Sequence, residues 1–283
     1  MPSDGTPILD PLPPVLSHST LNLLAGASGV GKTALIAWMA KHFLEGLPIF
    51  GYQPSAVPAV GYIGADRPWT GDSQRWFAKV GHDDLPHYSL VEDGDFRTKR
   101  FYLARPGTHA DIFAEHVDKL SLPPGSLLFV DPIALYIGGD MNNYVRSAMG
   151  CLDLQRVIRA RELCVIGVDH SSKQKGDAGD RYTRLQERIS GSMAKLGYTS
   201  TQMYLAGPTE VENSNGCHTF LWNPHHAPQQ TFTLRQNPLT GLFESESDVQ
   251  HQEVRPQADS PLTPAQQALL VLIPQFPRTI STA

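Results

Sequence analysis

Cysteine is scarce in this chain: three among 283 residues, Cys151, Cys164 and Cys217, scattered along the sequence. That number and spacing exclude a disulfide framework and a cysteine-based zinc site, and Cys164, inside an apolar run, reads as plain core. Positive charge is also short. With 23 Lys and Arg against 28 Asp and Glu, the formal net charge is −5. No overall basic field advertises nucleic-acid binding, so any such contact must be local, or made by an oligomer that gathers a few cations in a channel. Long hydrophobic runs are missing, since no stretch approaches the length of a membrane-spanning helix. Met1-Pro2-Ser3-Asp4-Gly5 lacks the charged-then-apolar pattern of a leader. These absences predict a soluble, cytoplasmic protein with no membrane partner. What remains, 41% hydrophobic and 18% charged residues, suits a globular chain with a sizeable core.

Against this plain background stands Gly26-Ala27-Ser28-Gly29-Val30-Gly31-Lys32-Thr33, which fits the phosphate-loop pattern G-x-x-x-x-G-K-[ST]. It follows the apolar run Leu21 to Ala25, suited to a buried strand, and precedes Ala34 to Ala40, rich in helix formers. Strand, glycine loop and helix together give the pattern its mechanism. The glycines let successive N–H groups turn inward toward phosphate oxygens, and the helix N-terminus adds partial positive charge. Lys32 is expected to reach the β- and γ-phosphates and Thr33 to place its hydroxyl on Mg²⁺. The octapeptide predicts binding of a nucleoside triphosphate.

Along the rest of the chain, apolar strand-like runs alternate with helical stretches, which predicts parallel strands joined by crossover helices. Residues 1–19 are expected to form a lead-in arm. Ala59 to Gly64 is a second strand candidate; residues 70–81 read as helical and 82–100 as irregular. Thr108 to Leu120 has helical spacing and is broken by Pro123-Pro124-Gly125. Ser126 to Asp131 reads as a strand ending in a carboxylate, Val145 to Glu162 as a helix, and Cys164 to His170 as a further strand. Thr199 to Leu205, His218 to Trp222, Gln230 to Leu234 and Leu242-Phe243 are short runs between Pro, Gly and Asn clusters, and read as hairpins. Residues 244–261 look like a polar linker, and Ser260 to Leu270 reads as the start of a small helical tail. The expected domains are therefore an arm at 1–19, the main domain at 20–243, and a linker with a short helical tail at 244–283.

A phosphate-loop enzyme needs a second carboxylate at a strand end and a polar group to activate water. Asp131, after Leu127 to Val130, has the form of that metal-holding carboxylate. In an α/β sheet the carboxyl ends of strands form the ligand crevice, which makes Asp66, in Gly64-Ala65-Asp66-Arg67, a candidate for orienting water. His170, ending the strand before Ser171-Ser172-Lys173, is placed to donate to a γ-phosphate or to the water. Trp69 is expected to be crevice wall more than a surface on which a base stacks.

The order of these segments resembles RecA-like ATPases, and within them the RepA-like hexameric replicative helicases of plasmids and phages. The resemblance covers about residues 15–243. Its carriers are the phosphate loop, Tyr62-Ile63-Gly64-Ala65-Asp66, Leu128-Phe129-Val130-Asp131 and Val165 to Lys173. Arg188-Ile189-Ser190-Gly191-Ser192, followed by Gln202 to Leu205, is also similar to a segment of the DnaB-type helicase core. The resemblance implies a RecA-like P-loop NTPase core, with a mostly parallel twisted sheet flanked by helices and C-terminal antiparallel hairpins. It implies ATP and Mg²⁺ as cofactors, phosphates held by Gly26 to Thr33, and Mg²⁺ held by Thr33 and Asp131. Asp66 falls where the family usually has a catalytic Glu, and His170 falls at the γ-phosphate sensor position.

Residues 173 to 188 correspond to a mobile loop facing the central channel of such rings, with Lys173, Lys175, Arg181 and Arg184 as contacts to single-stranded DNA. One copy is a weak phosphate binder, while six copies around a pore make a strong, salt-sensitive one. The family also completes each site with a cation from the neighbouring subunit of a homo-oligomer. Trp222-Asn223-Pro224-His225-His226 lacks the Lys often found there, so Arg235 is the first choice and Arg188 the second. The implied activity is that of a ring-forming DNA helicase, working with other replication proteins. Two rival readings are a single-strand annealing or recombination ATPase, and a nucleotide-switched loader with little turnover. The Asp at 66 and the missing late Lys favour the loader.

Overall fold

In the computed structural model, residues 16–65, 68–94, 108–138, 144–170, 197–208, 217–224 and 228–245 are described. All lie in the first of two units, Met1–Gln252. Among them, the apolar runs pair into one nine-stranded sheet. Its strands are β1 (Leu21–Gly26), β2 (Val60–Gly64), β3 (His87–Ser89), β4 (Leu127–Asp131), β5 (Cys164–His170), β6 (Thr201–Ala206), β7 (His218–Pro224), β8 (Gln230–Gln236) and β9 (Phe243–Ser245). The spatial order is β3-β2-β4-β5-β1-β6-β7-β8-β9. Every pairing from β3 to β6 is parallel, and those from β6 to β9 are antiparallel.

The parallel strands are near-continuous apolar runs because helices cover both sheet faces. On one face α1 (Lys32–Glu45) and α2 (Gln74–Lys79) pack against Leu24, Phe129, Ile166 and Val168. On the other, α3 (Thr108–Lys119), the single turn α4 (Ala134–Ile137) and α5 (Tyr144–Ala160) pack against Leu23, Leu128, Val130 and Val165. In α3 the residues Ile112, Phe113, His116 and Val117 are buried, the i, i+1, i+4, i+5 stripe that an amphipathic helix turns to a core. All three cysteines are buried and unbridged, so Cys164 is core as expected.

Three expectations change. Residues 82–100 hold β3, a three-residue edge strand that pairs Tyr62 with His87 and Gly64 with Ser89. It is too short to show a period. The helix read over 70–81 starts with an irregular turn, Trp69–Ser73, in which Gly71 has φ +88°, and only Gln74–Lys79 is α-helical. The run read as the first of the hairpins, β6, pairs parallel with β1 along Leu23↔Gln202 to Gly26↔Leu205 and antiparallel with β7. Its apolar face is the same in either arrangement, so its sequence does not say which neighbour it joins. No helix among the described residues is long and apolar enough to cross a membrane. The expected arm up to residue 15 and the tail from residue 246 lie outside the described residues.

Candidate nucleotide-binding site

The sheet order brings three strand ends together: β4, β5 and β1 are adjacent, and each ends in a residue singled out by the sequence. Gly26 closes β1 opposite His170, the last residue of β5, and Asp131 closes β4. Strand alternation puts Asp131 on the same face as Leu127 and Phe129, the face that α1 covers. His170 shares that face with Ile166 and Val168. A crevice outside carboxyl strand ends is where α/β sheets take ligands.

The loop's shape follows from its glycines. A Cβ at Gly26 would stand 2.6 Å from the Leu205 carbonyl oxygen, so only glycine lets β1 turn off beside β6. Gly31, at the N-cap of α1, has φ +98°, the left-handed region that favours glycine. Its carbonyl accepts from Leu35 N at 3.0 Å and begins the helix ladder. The first N–H groups of α1 therefore face the loop, with the positive end of the helix dipole behind them.

Lys32 is the first residue of α1 and is 7% exposed. Its ammonium donates to the Gly26 oxygen at 2.8 Å and the Ala27 oxygen at 2.9 Å, and lies 3.5 Å from His170 Nδ1. A buried cation needs such partners. Here the loop's own carbonyls hold the charge at the loop. His170 N donates to Asp169 Oδ1 at 2.8 Å, which fixes the turn out of β5. Thr33 follows Lys32 in α1 and is half-buried.

Around the crevice the structure adds residues that the sequence did not single out. Ala65 N donates to the Asp131 carbonyl at 2.7 Å, so the segment leaving β2 is tied to the end of β4. Beyond it, Glu92 accepts from Thr70 N at 2.9 Å and from the Thr70 hydroxyl. Desolvation pushes the Glu92 carboxyl up, but hydrogen bonds from Thr70, Trp69 and Ser89 outweigh it and hold the group below its ordinary range. Trp69 is 2% exposed, stacked on His87 at 4.2 Å and packed on Tyr62 and Phe77; it is wall, with no face open to a base. Glu92 gave no sequence signal, because it lies in a polar stretch after a strand too short to see.

Arg235 is exposed near the end of β8, on the face opposite Phe232 and Leu234, with Glu244 of β9 beside it in register. Asp66, Lys173, Lys175, Arg181, Arg184 and Arg188 lie outside the described residues. Among the described residues, the site therefore joins Gly26 to Thr33, Asp131 and His170, and it leaves Arg235 on the antiparallel extension.

A family model, that of the AAA domain, matches residues 6–176, more than half of the chain. The chain belongs to the AAA domain family. The matched span includes the phosphate loop, Asp66, Asp131 and His170. No curated protein sequence matches the chain. Among solved structures, a DnaB-like replicative helicase, described with its interactions with primase, superposes with a TM-score of 0.52 at 13% identity, covering 80% of this chain and 57% of that one. A second solved structure, described as an ATPase domain, gives 0.51 at 12% identity, covering 81% and 85%. A KaiC-like protein from Pyrococcus horikoshii OT3 gives 0.49 at 12%, covering 81% and 90%. The first two share the fold, a RecA-like P-loop core, and this AAA-domain chain spans little more than half the length of the DnaB-like helicase. The RecA-like P-loop resemblance drawn from the motifs stands, and the protein is a P-loop ATPase.

Proposed function

We propose that this AAA-domain protein is an ATP-hydrolysing motor of the RepA-like hexameric kind, a ring-forming helicase that acts on single-stranded DNA in plasmid or phage replication. The observation that carries the reading is the Lys32 ammonium, buried at the loop and 3.5 Å from His170 Nδ1, with Asp131 ending the next strand. Those groups supply, in one crevice, a cation for the β- and γ-phosphates, a γ-phosphate sensor and a carboxylate. On ATP binding, Lys32 exchanges its two loop carbonyls for phosphate oxygens, and the N–H groups at the start of α1 take the negative charge. The His170 imidazole then donates to the γ-phosphate or to the attacking water.

Thr33 and Asp131 would hold Mg²⁺. Both offer hard oxygen donors of the type that ion takes, and Asp131 lies on the sheet face that α1 covers. When bound there, the ion would supply charge neutralisation for the phosphates. Asp66 would orient the water, Arg235 (or Arg188) would reach the neighbouring subunit's site, and Lys173, Lys175, Arg181 and Arg184 would grip the strand in the pore. The DnaB-like fold supports this reading, as does the soluble character read from the sequence. Work in the cytoplasm beside other replication proteins follows from it.

The test is steady-state ATP turnover with and without single-stranded DNA, alongside particle sizing with a non-hydrolysable analogue. DNA-stimulated turnover by a hexamer is expected. DNA-independent turnover by a monomer in every nucleotide state overturns the helicase reading.

A further inference from the structure

The phosphate loop has a neighbour on the antiparallel extension that phosphate binding does not by itself require. A Cβ at Gly31 would lie 3.3 Å from Phe243 Cζ and 3.7 Å from Gln236 Nε2, so β8 and β9 form a wall against the left-handed glycine of the loop. Phe243 is 2% exposed and rests edge-on against His218 at 5.1 Å. Gln236 Nε2 donates to the Gly241 carbonyl at 2.6 Å, so its amide is held across the hairpin.

The hairpin is closed and anchored at its far end as well. Asn237 Oδ1 accepts from Leu239 N at 2.9 Å and Thr240 N at 3.1 Å, and Gly241 N donates to Asn237 O at 2.7 Å. A side chain on Gly241, whose φ is +72°, would stand 3.0 Å from Trp76 Cη2. Lys79 donates to the Thr240 carbonyl at 2.5 Å and sits 4.3 Å over the Trp76 ring. An uninterrupted line of contact thus runs from α2 through the hairpin tip to Gly31.

We propose that the β8–β9 hairpin braces the phosphate loop, with Phe243 and Gln236 as positioning residues that hold Gly31 in its nucleotide-competent conformation. The proposal rests on reading Gly26 to Thr33 as a nucleotide site. Glycine samples left- and right-handed backbone about equally. A wall on one side of Gly31 removes alternatives that would scatter the N–H groups. Loss of the brace lowers the fraction of competent loops, and affinity falls by that same fraction.

The experiment titrates a fluorescent ATP analogue into the wild type, Lys32→Ala, Phe243→Ala, Phe243→Leu, Gln236→Ala and Leu239→Ala, and measures ATP turnover for each. If the competent fraction drops to a tenth, Phe243→Ala binds about tenfold more weakly. KM should rise in step while kcat holds, and Phe243→Leu should restore most of the affinity. Gln236→Ala, which removes no core volume, should weaken binding in the same direction and covers the case in which Phe243→Ala does not fold. Leu239→Ala, at a side chain 94% exposed on the hairpin tip, should bind like the wild type. If the wild type binds, Lys32→Ala does not, and the hairpin variants match the wild type, the brace is overturned and the nucleotide site stands. If neither the wild type nor Lys32→Ala binds, the nucleotide reading and the brace fall together.

Discussion

The sheet has two halves built on different rules. From β3 to β6 the strands are parallel, and the groups proposed for chemistry sit at the ends of adjacent strands, with Gly26 opposite His170 and Asp131 closing the neighbouring β4. From β7 to β9 the strands are antiparallel, and what bears on the site sits along strand faces. In β8, Phe232 and Leu234 point to the core while Thr233 and Arg235 face outward. In either half a one-residue slip of register exchanges one face for the other, and in the parallel strands it also displaces the end residue along the crevice. The first half carries the residues proposed as reagents, and the second braces the loop and carries Arg235 on its exposed face.

The sharpest way to break this division is Lys32→Ala, which should abolish nucleotide binding, read by analogue titration, while leaving the melting temperature close to that of the wild type. Trp222→Ala should do the reverse. Trp222 is fully buried among Phe50, Phe220 and Phe232, and its loss should cost about 3–5 kcal/mol, read by urea unfolding. Arg235→Ala, on the exposed face of the same hairpin, should change stability by less than about 0.5 kcal/mol. It should lower turnover of the assembled particle by about 10³-fold if it is the trans-acting cation.

The smallest effect belongs to the Arg161–Asp118 pair, which ties α3 to the turn before β5 with two hydrogen bonds of 2.7 Å. The side-chain hydrogen bond from Arg161 holds the Asp118 carboxyl below its usual range, outweighing desolvation. A lowered folded-state value means the contribution is present above the ordinary carboxylate range and fades as pH falls through the folded value. Asp118 is 62% exposed, so Arg161→Ala should cost under about 1 kcal/mol at neutral pH. That difference should shrink in acid, as melts at pH 7 and pH 3 would show.

The two halves were also unequally legible. β2, β4 and β5 announce themselves as apolar runs, because burial on both faces removes the need for polar alternation. Their end residues then follow from counting. β5 runs from Cys164 to His170, the limits that the sequence suggests. The extension gave its strands but not its partners. Nothing local in Thr201 to Ala206 says that β6 lies parallel to β1, since that depends on long-range packing. The role of Phe243 was invisible for the same reason, being a contact between residues over two hundred positions apart. Glu92 and β3 were missed because three residues cannot establish a period.

The interior position of Cys151, Cys164 and Cys217 has a use beyond packing. With every thiol inside, the folded surface carries no native cysteine for a probe to find. A cysteine introduced at Leu239 would be the one exposed nucleophile of its kind, at the tip of the hairpin. A dye attached there would report the motion of the extension in real time, without first stripping the protein of its own cysteines.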